Sequence, residues 1–190
     1  LDPKKDLYFF RTIHSLALSL SDISPEQVMQ PSDYRELSES MGVHLVTTKS
    51  VNFDDDLPDM MKASDPILGL INLARLKKVP LRKQYDSSNL ELTWSEINYV
   101  NGCLTRYKQV RHKFDFTDML ENFVTEGSNF CPNFELCFVD EAQDLSPMQW
   151  DIAHLLDERS KRMYIAGDDD QAIYRWAGAD VDAFINLDGG

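Results

Sequence analysis

Two short acidic clusters carry the chemistry that can be read from this chain of 190 residues. The first is Val139-Asp140-Glu141-Ala142-Gln143-Asp144, placed directly after the apolar run Leu136-Cys137-Phe138. An Asp followed by a Glu at the end of a strand suits nucleotide hydrolysis. One carboxylate holds a magnesium ion, a hard cation that takes oxygen ligands and keeps its waters. The other orients the attacking water and removes its proton. Read alone, adjacent acids at a strand end are also common loop residues.

The second cluster is Gly167-Asp168-Asp169-Asp170-Gln171-Ala172-Ile173-Tyr174-Arg175-Trp176. Three consecutive acids repel one another and call for solvent, a cation or basic partners nearby. Gln171 can read a phosphate oxygen through its amide. Tyr174 and Trp176 offer rings on which unpaired bases stack. The competing reading is a core Tyr and Trp beneath a polar loop, and for this cluster by itself it is the stronger one.

Both clusters need strands to present them. Leu136–Val139 is a continuous apolar run, as expected of a strand covered on both faces. Ser146-Pro147-Met148-Gln149 has capping-box spacing, so a helix should run from there to about Leu156. Met163–Ala166 is a second buried strand. Strand, helix, strand in this order implies a right-handed parallel crossover. Functional residues then belong at the carboxyl ends of the strands, where both clusters lie.

The rest of the chain reads as mostly helical. Leu7-Tyr8-Phe9-Phe10 has the makings of a short strand, followed by a helix through Leu20. Residues 22–60 are acidic and irregular, with a short helix from Pro31 to Gly42 and a loop at Asp54-Asp55-Asp56. Ser64 or Asp65 can cap a helix that runs to about Lys78 and stops before Pro80. Thr93-Trp94-Ser95-Glu96 is a second capping box. Ile97, Val100, Leu104 and Tyr107 continue it at helical spacing to about Lys113. Asp115 opens a further helix, closed by Gly127.

Hydrophobic residues make up 43% of the chain and aromatics 11%, enough for a core, which excludes a disordered segment. No apolar run approaches a membrane span. Cys103, Cys131 and Cys137 match neither a zinc site nor a redox pair, and read as reduced thiols. The four histidines are scattered. Net charge is −13, which opposes a nucleic-acid partner. Its distribution is uneven: residues 61–130 hold eight acids and ten bases, against thirteen acids and four bases in 131–190. The bases gather in Arg75–Lys83 and Arg106–Lys113, which read equally as solvated helix faces and as a DNA-facing strip.

Taken together, VDEAQD and AGDDDQAIYRWAGAD resemble motifs II and III of the UvrD/Rep/PcrA-type superfamily 1 helicases. Arg11-Thr12-Ile13-His14-Ser15 resembles their Thr-x-His motif Ib, and Phe114–Leu120 their Asp-Phe-x-Asp-Leu segment. Residues 22–92 match by position only. The resemblance implies an α/β fold: part of a RecA-like parallel sheet of the P-loop NTPase type, with a mostly helical insertion. Residues 1–21 and 129–190 would belong to the motor domain and 22–128 to the insertion.

By position, Asp140 would bind magnesium and Glu141 would be the catalytic base. Gln171 would sense the γ-phosphate of ATP. Tyr174 and Trp176 would stack on single-stranded bases, and Thr12 and His14 would touch the DNA backbone. Gln143 and Asp144 would support coupling between motifs. Ala177 stands where the family commonly has Arg, which removes one contact of this loop. The implied activity is ATP-driven movement on single-stranded DNA, 3′ to 5′, opening the duplex at a single-strand/double-strand junction. The implied setting is the cytoplasm of a bacterial or phage-infected cell, without membrane contact.

There is no Gly-x-x-x-x-Gly-Lys-Ser/Thr in the sequence. The chain therefore reads as an excised piece that hydrolyses no ATP alone and depends on the remaining motor domain of its parent. Two other readings are a non-hydrolysing DNA- or protein-binding relative and the motor part of a helicase–nuclease.

Overall fold

In the computed structural model, residues 8–45, 65–172 and 175–187 are described, apart from the side chains of Ser128 and Trp176. They form an α/β structure that is mostly helical around a two-stranded parallel sheet. The helices are α1 (Ile13–Ser19), α2 (Pro31–Met41), α3 (Pro66–Leu76), α4 (Leu81–Asp86), α5 (Trp94–Arg111), α6 (Phe116–Glu126), α7 (Pro147–Glu158) and α8 (Val181–Ile185). The strands are β1 (Cys137–Val139) and β2 (Met163–Ile165). They pair in parallel, with Phe138 opposite Tyr164 and Val139 opposite Ile165, and α7 forms the connection between them.

Local side-chain chemistry starts most of the helices. Thr93 and Glu96 close the capping box of α5, Asp115 and Asp118 that of α6, and Ser146 and Gln149 that of α7. Each pair satisfies two backbone N–H groups that have no helical partner. Asp65 caps α3, accepting from the Ile67 and Leu68 amides at 2.9 and 3.4 Å.

Helix ends departed more from expectation. The α3 helix stops at Leu76 rather than Lys78. Lys78 turns left-handed at φ 54°, and the Val79 N–H closes back on the Ala74 carbonyl at 2.9 Å. This is the Schellman ending, which satisfies the last carbonyls before Pro80 is reached. Pro80 then caps the start of α4, so the proline that follows one helix also opens the next, which its sequence does not announce. The short helix α8 was also not foreseen.

Among the described residues no strand forms at Tyr8–Phe10. Tyr8 and Phe9 lie in a turn, held by ring contacts: Tyr8 edge-on to Phe9 at 4.9 Å, and Phe9 edge-on to Phe134 at 5.0 Å. Leu7 and the Asp54-Asp55-Asp56 loop lie outside the described residues.

The interior divides in two. Leu37, Ile67, Ile71, Ile97, Val100 and Leu104 form the core of the helical region. A second core joins Leu16 and Ala17 of α1, Leu120 and Phe123 of α6, and Met148, Ile152 and Leu156 of α7. The α3 helix serves both, through Ile67–Ile71 at one end and Leu76 at the other. Val139 packs in a neighbouring cluster with Trp150 and Ala153.

Among the described residues the sheet is covered on one face. Val139 is buried, whereas Phe138 is 69% exposed and Tyr164 51%, their rings stacked at 5.3 Å. A sheet buried on both faces was expected. Among the described residues α7 supplies a layer for one face, and nothing covers the other.

Candidate functional site

The carboxyl ends of β1 and β2 bring the two acidic clusters together. Asp140 is the first residue past β1 and is exposed; its Oδ1 accepts the Glu141 N–H at 3.0 Å. Glu141 sits in the left-handed region, at φ 52° and ψ 40°. That conformation costs a non-glycine residue about 1–3 kcal/mol unless its surroundings over-determine it. Here they do. The Ala142 N–H reaches the Ala166 carbonyl past the end of β2 at 2.9 Å, and the Asp144 N–H reaches the Glu141 carbonyl at 3.0 Å. Residues Ala142–Asp144 form a 3-10 turn that returns the chain beneath Glu141.

Gln143 is the only fully buried polar side chain of this turn, at 1% exposure. Its Nε2 donates to Glu141 Oε2 at 2.6 Å, and its Oε1 accepts the Asp168 N–H at 3.0 Å. One amide thus joins the two clusters. Asp144 Oδ1 is buried without a hydrogen-bond partner. Burial, with the Glu141 charge added, raises its carboxyl above the ordinary value.

The second cluster is a surface turn. Asp168 caps a 3-10 turn over Asp169–Gln171, accepting from the Asp170 N–H at 3.1 Å, and the Gln171 amide donates back to Asp168. Gln171 and all three aspartates are exposed. Gly167 is required here. A Cβ on it would lie 2.5 Å from Gln143 Oε1 and 2.9 Å from the Phe184 ring of α8. Phe184 had no signal in the sequence, since its contact lies outside any motif.

Tyr174 lies outside the described residues, as does the side chain of Trp176, whose backbone belongs to a 3-10 turn over Arg175–Ala177. Ala177 is buried. Thr12 caps α1, accepting from the Ser15 N–H at 3.3 Å. His14 does not face solvent. It is 6% exposed beside the Phe116 ring, and burial pushes its imidazole down to about 4. Its Nδ1 is buried without a hydrogen-bond partner among the described residues.

The basic runs are largely engaged within the chain. Arg75 pairs with Asp115, Asp118 and Glu121, and Lys108 with Asp115 and Asp118. Lys78, Arg82, Arg111 and Lys113 also hold acidic partners. Of these two runs only Lys77, Lys83 and Arg106 make no ion pair among the described residues.

Asp140 fits a magnesium ligand. It is a hard oxygen donor with Oδ2 open among the described residues. No preformed group of three His, Cys, Asp or Glu surrounds a point there, again among the described residues. Magnesium characteristically uses one or two carboxylates with nucleotide phosphates rather than a protein cage. No described helix is long and apolar enough to cross a membrane.

Comparison with known proteins places the chain in a family. The model of the UvrD/REP helicase N-terminal domain matches residues 6–189. The chain is 44% identical over 197 residues to an ATP-dependent DNA helicase PcrA of Leuconostoc citreum, covering 98% of this chain and 25% of that protein. It is 28% identical over 117 residues to a probable DNA helicase II homolog of Mycoplasma genitalium, covering 58% of this chain and 16% of that protein. A PcrA of Bacillus subtilis is 38% identical over 55 residues, 29% of this chain and 7% of that protein. The chain therefore spans a quarter or less of the length of these relatives.

Proposed function

Because the chain belongs to the UvrD/REP helicase N-terminal domain family, we propose that it is the part of an ATP-dependent DNA helicase that carries the hydrolytic carboxylates. The observation that supports this most is the meeting of Asp140-Glu141 and Asp168–Gln171 at the ends of β1 and β2, joined through Gln143. Residues 1–21 and 129–190 are proposed as parts of one RecA-like motor domain, with 22–128 as its insertion.

In this reading Glu141 is the general base. Its exposed carboxylate accepts the proton of the water that attacks the terminal phosphate of ATP. Asp140 would hold magnesium, which when bound with nucleotide neutralises charge on the phosphates. Gln171 lies on the neighbouring turn, and its amide would hydrogen-bond a phosphate oxygen. Tyr174 and Trp176 follow it and would stack on bases of single-stranded DNA, a contact tolerant of sequence. Thr12 and His14 would meet the strand's backbone. Nucleotide grip by a phosphate loop, and the second motor domain, are proposed to come from other parts of the longer protein. Movement is proposed to run 3′ to 5′ toward a duplex junction, in the cytoplasm.

The test uses the full-length protein that carries these residues. Glu141→Gln keeps the shape of the base but cannot accept the proton. Turnover should fall by ~10²–10⁴-fold or more while ATP and single-stranded DNA still bind. A Glu141→Gln protein that hydrolyses ATP at nearly the parent rate would assign the base elsewhere.

A further inference from the structure

We propose that the helical core is a unit that opens away from the core beneath the sheet, and that five charged side chains at the junction are the latch that fastens the two: Arg75, Lys108, Asp115, Asp118 and Glu121. This device is independent of the hydrolytic chemistry proposed above.

Each core is packed by its own helices. The α5 helix lies against α2 and α3, and α6 lies against α1 and α7. Among the described residues, none of the hydrophobic clusters contains side chains of both α5 and α6. A cleft of about 620 Å³ lies between these two helices, with Leu104 and Thr105 on one side and Asn122 and Thr125 on the other. Two backbone links cross the junction. The α3 helix runs from one core into the other. Phe114, just past α5, donates its N–H to the Gln27 carbonyl and accepts the Met29 N–H, each at 2.8 Å. The segments that enter and leave the helical core thus run side by side as a narrow neck, and apolar packing does not carry α5 onto α6.

Charge makes that connection instead. Arg75 stands in the last turn of α3 and Lys108 in that of α5. Both face the first turn of α6, where Asp115 and Asp118 form the capping box. Besides Asp115, Arg75 donates to Asp118 and, through Nε at 2.9 Å, to Glu121. Lys108 Nζ donates to Asp115 Oδ2 at 2.6 Å and to Asp118 Oδ1 at 2.9 Å. Cations at two helix C-termini meet acids at one N-terminus, an arrangement the helix dipoles favour.

A charged seam opens differently from an apolar one. Apolar side chains pulled apart face water without compensation, whereas separated ions recover the hydration they had given up. Arg75 and Lys108 keep 20% and 13% of their side chains exposed and line the cleft, so water reaches them as they part. The seam is firm when closed and releasable without exposing either core.

Hydrogen exchange of the full-length protein, followed by mass spectrometry, reads the two cores separately through peptides of α5 and α7. Lys108→Met keeps the side-chain length and removes the α5 charge from the cluster. It should speed exchange in α5 roughly 10–100-fold, the scale of losing a charged hydrogen bond, and leave α7 within about twofold of the parent. Asp115→Asn is the second variant. Asparagine still caps α6, but it no longer draws Lys108 and Arg75 by charge. The same pattern is expected, again confined to the helical core. An α5 rate within about twofold of the parent in either variant overturns the inference, because the cluster then fastens nothing. Equal acceleration in α5 and α7, global unfolding included, overturns it as well, because the two cores then open as one.

Discussion

Arg75 Nη1 reaches both carboxylate oxygens of Asp115, at 3.0 and 2.9 Å, across 40 positions of sequence. The pair ties α3 to the first turn of α6, and Lys108 brings in α5 at 2.6 Å from the same carboxylate. Burial alone would raise the Asp115 carboxyl, but the Arg75 and Lys108 charges overcome it and hold the group below its ordinary value. Asp118 beside it moves the other way, raised by burial and by the Asp115 charge.

Removing one partner of a buried ion pair leaves an uncompensated charge, at a typical cost of ~3–5 kcal/mol. Arg75→Leu should lie at the low end of that range, about 3 kcal/mol, because Lys108 still faces Asp115. Arg82→Ala serves as the control, since its pair with Asp86 is more than half exposed on both sides; it should cost no more than ~0.5 kcal/mol. Urea unfolding of the two variants would separate them. Equal midpoints would show that the buried network contributes nothing beyond a surface pair.

His14 predicts a pH dependence. Its folded value is depressed to about 4 from an ordinary 6.5, so the fold holds the neutral form. Between these values the unfolded chain takes up a proton that the folded chain refuses. Stability from this group is complete above about pH 6.5 and is lost as pH falls toward 4, by roughly 3 kcal/mol in all. His14→Leu should remove that part of the slope. Denaturant unfolding of both proteins at pH 7 and pH 4.5 would check it, and parallel losses would exclude His14 as the source.

Gly167 and Gly102 should respond oppositely to alanine. At Gly167 the new methyl meets Gln143 Oε1 at 2.5 Å and the Phe184 ring at 2.9 Å. Overpacking of this kind costs ~1–3 kcal/mol. Gly102 lies within α5 with nothing within 4 Å of a Cβ. There alanine should stabilise by ~0.5–1 kcal/mol through helix propensity. Thermal midpoints that move the same way for both would contradict the packing at Gly167.

Phe138 and Ile152 form a second contrast. Phe138 is 69% exposed and stacks on Tyr164, whereas Ile152 is fully buried between α7 and its neighbours. Phe138→Ala should cost this chain less than about 1 kcal/mol, the range of a cross-strand aromatic pair. Ile152→Ala should cost ~2–5 kcal/mol. Equilibrium unfolding of the isolated chain distinguishes them, and a large loss from Phe138→Ala would mean that the outer sheet face is covered.

Sequence alone determined what depends on neighbours three or four residues away. Thr93 with Glu96, Asp115 with Asp118 and Ser146 with Gln149 announce their helices because each cap closes within one turn. The two acidic clusters announced themselves in the same way, as strings placed after apolar runs. Sequence could not show what those side chains meet across the fold. Arg75 read as part of a basic strip, yet it faces inward onto Asp115. His14 read as a strand contact, yet packing leaves it enclosed and neutral. Phe138 read as buried, yet among the described residues α7 layers one face of the sheet and Phe138 lies on the other. Gln143 lies two residues from Glu141 but 25 from Asp168, and only the parallel pairing of β1 with β2 brings that second partner within reach of its amide. Hydrogen bonds and desolvation act over a few ångströms of space, so the tertiary structure decided which groups they joined.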